Sequence, residues 1–140
     1  MNSLIESLQN AAARCSEGVL ITDRSQRVVY ANPAFCRQSG FSSSELLGHR
    51  APDLGDEGEE ILPKQLPKGP FRRNFTRVHR DMSTYVAGAY HIPFVDESGA
   101  RYCLAIEREL QFTNENPMAS IQFRDSAMSL CSLIANDLFA

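Results

Sequence analysis

Hydrophobic residues in the first part of the chain form two short strand-like runs, and helical spacing follows at once. Residues 19–22 and 28–31 are apolar and rich in β-branched side chains, and the polar residues 23–26 separate them. Turn-forming residues between two such runs predict a β-hairpin. Asn32-Pro33 predicts that a helix begins next, because asparagine caps unpaired N–H groups and proline at the first helical position loses no hydrogen bond.

Glycines and a capping box delimit this helix and the next one. Gly40 is predicted to end the first helix, because glycine adopts the left-handed conformation without a Cβ clash. Ser42 and Glu45 have the spacing of a capping box, which predicts a second short helix that stops at Gly48.

Three longer β-rich runs follow an irregular segment at 50–70. Residues 71–80 and 83–92 predict two strands, and residues 101–109 are apolar enough in their middle to suit a central strand covered on both faces. The turn at Asp81-Met82 is predicted to avoid a positive φ at its second residue, where methionine would be strained. Alternation along the second strand puts Tyr85, Ala87, Ala89 and His91 on one face and Val86, Gly88, Tyr90 and Ile92 on the other.

Amphipathic helices are predicted at both ends. Residues 3–15 begin with Ser3 and Glu6 at capping-box spacing, and this helix either packs on its own sheet or pairs with its copy in a second chain. A second helix is predicted after Asn116-Pro117. Its predicted apolar stripe comprises Met118, Ile121, Met128, Cys131, Ile134 or Ala135, and Leu138. The stripe could fold back on the sheet, extend a dimer interface or lead into an effector, and the sequence leaves the three open.

The order of these elements resembles a PAS domain. The resemblance is carried by G-V-L-I-T-D at 18–23, V-V-Y-A-N-P-A-F at 28–35, G-F-S-S-S-E-L-L-G at 40–48 and I-P-F-V-D-E-S-G at 92–99. It implies an α+β fold, with a five-stranded antiparallel sheet, short helices on one face, and flanking helices at both ends. It divides the chain into an N-terminal amphipathic helix (1–15), a PAS domain (16–111) and a C-terminal linker and helix (112–140).

Composition and charge are those of one soluble globular domain. The chain has 140 residues, 43% of them hydrophobic and 22% charged, with a net charge of −3. We therefore expect neither nucleic acid nor a membrane as a partner, because no apolar run approaches the ~20 residues of a membrane helix and the basic residues at 72–80 are predicted to be a solvated sheet edge. The N-terminal residues lack the basic stretch of a secretory signal. Four singly placed cysteines predict free thiols in a cytoplasmic protein.

The acidic segment does not have metal-ligand spacing. Residues 53–60 contain five carboxylates without the alternation that calcium loops need, so a solvated loop is predicted and no metal site. The resemblance implies that helices over a ligand pocket lie in this part of the chain, where residues 61–66 predict one or two turns.

No catalytic motif is recognisable, so we do not expect an enzyme. The light-sensing LOV branch of the family has a flavin-bonding cysteine where this chain has Ala51, which argues against LOV photochemistry. Haem-binding members have a histidine on a segment that corresponds to 61–66, and this chain has none there. The cofactor is therefore unknown, and a flavin or a small organic ligand remains possible.

The resemblance predicts a sensory and signal-transduction module. Phe35, Phe41, Leu47, Phe75 and Tyr90 are the candidates for a ligand pocket, although ordinary core packing is the more common role of such residues. Two alternatives stay open, a flavin-binding or small-ligand chemosensor and a pure protein–protein adaptor with a filled core.

Three residues are assigned to structure and signal coupling. Asn32 is expected to tie the strand-to-helix junction together. Glu109 and Gln111 are expected to pass the signal on at the end of the last strand, Glu109 through a salt bridge. The expected partners are a second copy, through the N-terminal helix and the sheet, and an effector protein.

Overall fold

The computed structural model describes residues 3–50, 70–110 and 117–138. These residues form four helices and five strands in the order α1–β1–β2–α2–α3–β3–β4–β5–α4. The helices are α1 (Leu4–Ala12), α2 (Pro33–Ser39), α3 (Ser43–Leu46) and α4 (Pro117–Leu138), and the strands are β1 (Gly18–Asp23), β2 (Val28–Ala31), β3 (Phe71–Val78), β4 (Thr84–Val95) and β5 (Arg101–Glu109). The acidic residues 53–60 and the turns predicted at 61–66 lie outside the described residues.

The five strands form one antiparallel sheet in the order β2-β1-β5-β4-β3. Strand β5 is central, as its apolar middle predicted, and it pairs with β1 on one side and β4 on the other. This confirms the predicted α+β class and the five-stranded antiparallel sheet.

The local signals at the two short helices act as predicted. Asn32 caps α2, with Pro33 at its first turn, and Gly40 ends it at a φ of +81°. Gly40 has a second reason to be glycine, because the His79 ring lies 2.6 Å from the point where a Cβ would be. Ser42 and Glu45 form a complete capping box at α3.

The outer face of the sheet, which carries Val19, Ile21, Ile92, Leu104 and Ile106, is covered by α1 and α4. Helix α1 buries Leu4, Leu8 and Ala12 there, so its apolar side is used within the chain. Helix α4 also folds back on this face, which is the first of the three destinations that the sequence left open for it.

The apolar stripe predicted for α4 is correct in part. Ile134 is buried and Cys131 packs partly buried against the core, but Met118, Ile121 and Met128 are exposed. The helix buries Phe123, Ala127 and Leu130, which the predicted stripe did not include. The physical reason is the aromatic contact that Phe123 makes, because its ring meets Tyr90 edge-on at 4.9 Å between the centroids. An apolar periodicity shared by two sides of a helix does not say which side faces the core.

The inner face of the sheet is covered by α2 and α3 over β1 and β2, where Leu20, Val28, Phe35 and Leu46 pack together. Farther along the sheet this face carries Phe75, Ala87 and Ala89, all buried.

The turn prediction between β3 and β4 is also wrong, because Met82 adopts a positive φ of 77°. The Asp81 carboxylate stabilises the turn by accepting hydrogen bonds from the Ser83 amide at 2.8 Å and the Ser83 hydroxyl. The Met82 amide in turn donates to the His79 carbonyl. A local side-chain network thus compensates for the strain that the residue type predicts.

None of the helices in the described ranges combines the length and apolar character that crossing a bilayer requires.

Candidate functional site

Polar side chains gather on the inner face of the sheet, opposite the apolar cluster that α1 and α4 cover. We call them the inner polar cluster: Gln38, Arg73, Arg77, Tyr85, His91 and Glu107. Strand alternation places five of them, because β3, β4 and β5 direct every second residue to this face. Gln38 reaches the same region from α2.

A buried ion pair joins Arg77 and Glu107 at the centre of the cluster. The Arg77 Nε–H donates to Glu107 Oε1 at 3.1 Å and Nη2 donates to Oε2 at 2.5 Å, and the two side chains are only 3% and 0% exposed. Their strands are separated by β4, which spaces them about 10 Å apart. Ala87 and Ala89 are the inner-face residues of β4 at this point, and such small side chains leave room for the guanidinium to cross.

Aromatic rings flank the Arg77 guanidinium. Its central carbon lies 4.5 Å from the centre of the Phe75 ring and 5.9 Å from that of Phe35. A guanidinium at these distances gains from the ring quadrupole. Phe35 and Phe75 therefore belong to the site, because their rings lie against the charged Arg77 guanidinium.

His91 is a neutral hydrogen-bonding group in this cluster. Burial, and then the charges of Arg73, Arg77 and Arg72, lower its pKa to about 3. Its Nε2 accepts a hydrogen bond from the Arg73 Nε–H at 2.9 Å, so the single proton of the neutral ring is on Nδ1. The ring stacks on Phe71 with 5.0 Å between centroids and 18° between planes.

Within the part of the chain that the structure describes, two buried polar atoms of the cluster have no hydrogen-bond partner: Tyr85 Oη and Gln38 Nε2. Burial, followed by the charge of Glu107, raises the pKa of Tyr85, so its hydroxyl stays protonated. A buried polar group without a partner costs about 1–3 kcal/mol. Such groups in native proteins are usually satisfied by a bound water or ligand.

Cys103 lies on the inner face beside this cluster. Burial raises the pKa of its thiol to about 12, which keeps it protonated and unreactive. The four cysteines are all free thiols.

The predicted pocket residues do not all lie together. Phe35 and Phe75 are buried in or beside the inner polar cluster, and Phe41 packs partly buried against the inner-face core. Leu47 is 45% exposed, and Tyr90 packs on the outer face against Phe123. Strand alternation points Tyr90 away from Ala87 and Ala89, and Leu47 follows the last residue of α3, so the structure does not bring these two residues together with Phe35 and Phe75. The pocket assignment stays a prediction.

Asn32 makes four hydrogen bonds at the junction to which the sequence assigned it. Its Oδ1 accepts from the amides of Val19 at 2.8 Å and Phe35 at 2.9 Å, and its Nδ2 donates to the carbonyls of Ala12 at 2.8 Å and Glu17 at 3.0 Å. It therefore links α1, β1 and α2 through one fully buried side chain.

The predicted coupling residues lie at the end of β5. Glu109 is exposed at the last position of the strand, and Gln111 lies outside the described residues. Their role in coupling stays a prediction.

Sequence reasoning missed the charged members of the cluster, because the basic residues of β3 were assigned to a solvated edge. Arg77 is buried, Arg72 lies over the Tyr90 and Phe123 rings at 5.3 and 5.4 Å, and Arg80 pairs with Glu45 at 3.0 Å. One signal was present: Arg77 follows Phe75 by two residues, so alternation puts it on the same face of β3 as an aromatic side chain.

Within the described ranges, no group of three or more His, Cys, Asp or Glu side chains could hold a metal ion. The cluster combines a buried ion pair with hydrogen-bonding groups that lack partners within the described residues, and this geometry suits recognition of a polar molecule.

The chain is similar to known proteins both in sequence and in fold. A family model described as "PAS domain" matches residues 16–111. Two nitrogen fixation regulatory proteins, from Klebsiella oxytoca and Klebsiella pneumoniae, are each 28% identical over 104 residues, which is 69% of this chain. The matched region is only 21% of each relative, so the chain spans about a fifth of their length.

Solved structures share the fold at low identity. The PAS domain of an HTR-like protein from Haloarcula marismortui has a TM-score of 0.65 and 20% identity, over 76% of this chain and 91% of that one. A LOV protein of Rhodobacter sphaeroides has a TM-score of 0.69 and 17% identity, over 96% of this chain and 94% of that one. At these identities the likeness concerns the fold alone.

Proposed function

This chain belongs to the PAS domain family, and from that premise we propose that it is a sensory module whose inner polar cluster detects a small molecule and relays its presence to a signalling partner. The module acts without catalysis, as a binding domain.

The observation that carries the proposal is the buried Arg77–Glu107 pair. A buried ion pair contributes little to stability, since apolar side chains of similar volume often serve as well or better. On the outer face of the same sheet, Val19, Ile21, Ile92, Leu104 and Ile106 belong to an apolar cluster, so this chain can pack a sheet face with apolar side chains. A charged pair with hydrogen-bonding groups around it lies on the face covered by the short helices. Recognition of a ligand explains this arrangement better than a contribution to stability does.

The relatives support a role in signalling. Both are named nitrogen fixation regulatory proteins, which favours a regulatory output for a chain that shares this domain. What those larger proteins regulate is a property of the relatives, and this chain's own effector is a partner of unknown identity.

We further propose a cytoplasmic homodimer. The sequence suggested contact through the N-terminal helix and the sheet, but α1 covers the outer face of its own sheet with its apolar side. A second copy would therefore meet the exposed side of α1 or of α4, not the sheet itself.

The choice of ligand separates this proposal from its alternatives. Ala51 at the position of the LOV cysteine argues against a light-driven thiol adduct, while leaving a non-covalently bound flavin possible as a redox-sensing alternative. A pure adaptor with a filled core is favoured by the complete burial of Ala87, Ala89 and Phe35.

The test is an absorption spectrum of the freshly purified chain, followed by mass spectrometry of what heat releases. One organic molecule per chain supports a sensory pocket, and loss of that molecule in Arg77→Met/Glu107→Leu assigns it to the cluster. Flavin bands would favour the redox alternative. A colourless protein that releases nothing and binds no small molecule would refute sensing and leave the adaptor.

A further inference from the structure

Helices α1 and α4 leave a space between them on the outer side of the molecule. A cavity of about 310 Å³ is bordered by residues from 11–16, at the end of α1, and from 122–133 on α4. We call it the interhelical groove. Both helices cover the outer face of the sheet, so this groove lies on the other side of the sheet from the inner polar cluster. What it binds is therefore independent of the function proposed above.

The groove is polar at one end and apolar at the other. At the polar end the Gln122 Nε2 donates to the Ser16 hydroxyl at 3.1 Å, and Ser126 borders the groove one turn farther along α4. From Gln122 to Leu133 the helix rises about 16 Å, at 1.5 Å per residue. The apolar lining is contributed by Ala11, Leu130 and Leu133. A groove of this length, with a volume at the lower limit for ligand sites, suits a small elongated molecule with one polar end.

Arg14 gives the groove a positive charge. Its side chain is exposed, and its guanidinium has no hydrogen-bond or ion-pair partner among residues 3–50, 70–110 and 117–138. Among the described residues that border the groove, none is acidic. Glu17 is close in sequence but is only 7% exposed and does not border the groove. The charge that faces the groove is therefore that of an arginine without a carboxylate.

The one thiol in the lining does not oppose this charge. Burial, and then the charge of Glu17, raise the pKa of Cys15, so its thiol is neutral at ordinary pH. Serine hydroxyls and the Gln122 amide complete the polar lining, and all of them can donate hydrogen bonds. An anionic group at this end of the groove meets donors and one cation.

We infer that the interhelical groove binds a small amphipathic anion, of the class of a medium-chain carboxylate. Its carboxylate is held by the Arg14 guanidinium and the Ser126 hydroxyl, and its hydrocarbon chain lies against Leu130 and Leu133. A guanidinium pairs well with a carboxylate because two N–H groups can donate to its two oxygens. The chain contributes because each methylene that contacts the leucines leaves water.

Three probes with the same hydrocarbon chain test the class. Octanoate is anionic, octylammonium is cationic and octanol is uncharged. Titrations of the full chain are followed in two-dimensional amide NMR spectra, which report where each probe binds. Octanoate is expected to shift the amides of 11–16 and 122–133, and to bind at least about 5-fold more tightly than octylammonium, which Arg14 repels.

Two pairs of variants assign the headgroup and the groove. Arg14→Gln is expected to weaken octanoate about 3- to 5-fold and to leave octanol unchanged. Arg37→Gln is its control, because Arg37 is exposed on α2, which packs on the inner face.

Ser126→Leu fills the groove and is expected to abolish binding of octanoate and octanol alike. Ser132→Leu is the matched change at an exposed position of the same helix, and it should leave both affinities unchanged. Equal thermal midpoints of the two leucine variants show that Ser126→Leu acts by filling the space and not by unfolding the chain.

Three outcomes would overturn the inference. Octanoate shifts confined to the inner faces of β3, β4 and β5 would place the probe in the inner polar cluster. Equal affinities for octanoate and octylammonium, or an octanoate affinity that Arg14→Gln does not change, would refute the anionic class. Failure of octanoate to bind up to its solubility limit would refute the groove as a site. None of these results bears on the sensory function, which is tested by the molecule that heat releases from the purified chain.

Discussion

The buried pair between Arg77 and Glu107 gives the most exacting test of the site. We consider Arg77→Met, Glu107→Leu and the double variant, which replace the charges by apolar groups of related size. Each single change leaves one charged group in place at a position that is at most 3% exposed. In the double variant neither charge remains.

The single variants and the double variant are expected to change the free energy of unfolding differently. Removing one partner of a buried pair costs about 3–5 kcal/mol, whereas replacing both is often neutral or stabilising by about 1–4 kcal/mol. A domain of this size has roughly 5–15 kcal/mol of stability in total, so each single variant should lose about a fifth of it or more. The double variant should unfold at or above the wild-type midpoint, which gives a coupling energy larger than either single effect.

Urea unfolding followed by far-UV circular dichroism measures all four proteins under one condition. Arg80→Met provides the control, because Arg80 pairs with Glu45 at 3.0 Å on the surface and its loss should shift the midpoint far less. Single variants that cost under about 1 kcal/mol would show that water reaches the pair. A double variant that is destabilised by the sum of the singles would show that the two side chains are not coupled, and the reasoning about the site would fall with it.

Three further predictions concern neighbouring features. The pKa of His91 is about 3 in the folded protein against 6.5 in the unfolded chain, so between these pH values the residue takes up a proton only when the protein unfolds. Acid should therefore destabilise the wild type relative to His91→Phe between pH 6.5 and 3. The loss in free energy of unfolding of the wild type relative to His91→Phe should reach about 2 kcal/mol at pH 5 in urea titrations. If the free energies of unfolding of the two proteins changed in parallel with pH, this prediction would be contradicted. Met82→Gly should raise the free energy of unfolding by about 0.5–1 kcal/mol, because glycine adopts the φ of 77° without strain and loses part of the gain to chain entropy; a lower thermal midpoint would disprove this. Asn32→Ala should cost at least about 3 kcal/mol by removing four buried hydrogen bonds, against about 1 kcal/mol for the exposed helix cap in Ser42→Ala. Equal losses in these two variants would mean that Asn32 is an ordinary cap.

Much of the fold could be predicted because its signals are local. The Asn32-Pro33 start, the Gly40 stop and the Ser42–Glu45 box each depend on backbone groups within four residues of the side chain concerned. The alternation of β4 likewise follows from backbone geometry alone, and both faces of that strand were predicted correctly.

The candidate site was harder to predict because its members are distant along the chain. Arg77 and Glu107 are 30 residues apart, and only the strand order brings them within hydrogen-bond reach across β4. A run of arginines on one strand predicts a solvated sheet edge, because the sequence does not show that a carboxylate from another strand lies against one of them. The contact between Tyr90 and Phe123 was equally hard to predict, because Phe123 comes from a helix beyond the sheet.

By itself, the sequence determined the elements, their caps and the family, since propensities, turn residues and periodicity act over a few residues and need no knowledge of neighbours. The tertiary structure decided which apolar side of α4 faces the sheet, that Met82 is held in a left-handed turn, and that a charged pair is sealed on the inner face. These choices depend on side chains that meet only after the chain has folded. Burial then sets their energies, because an arginine that water solvates without a partner becomes strongly destabilising once water is excluded, unless a carboxylate pairs with it.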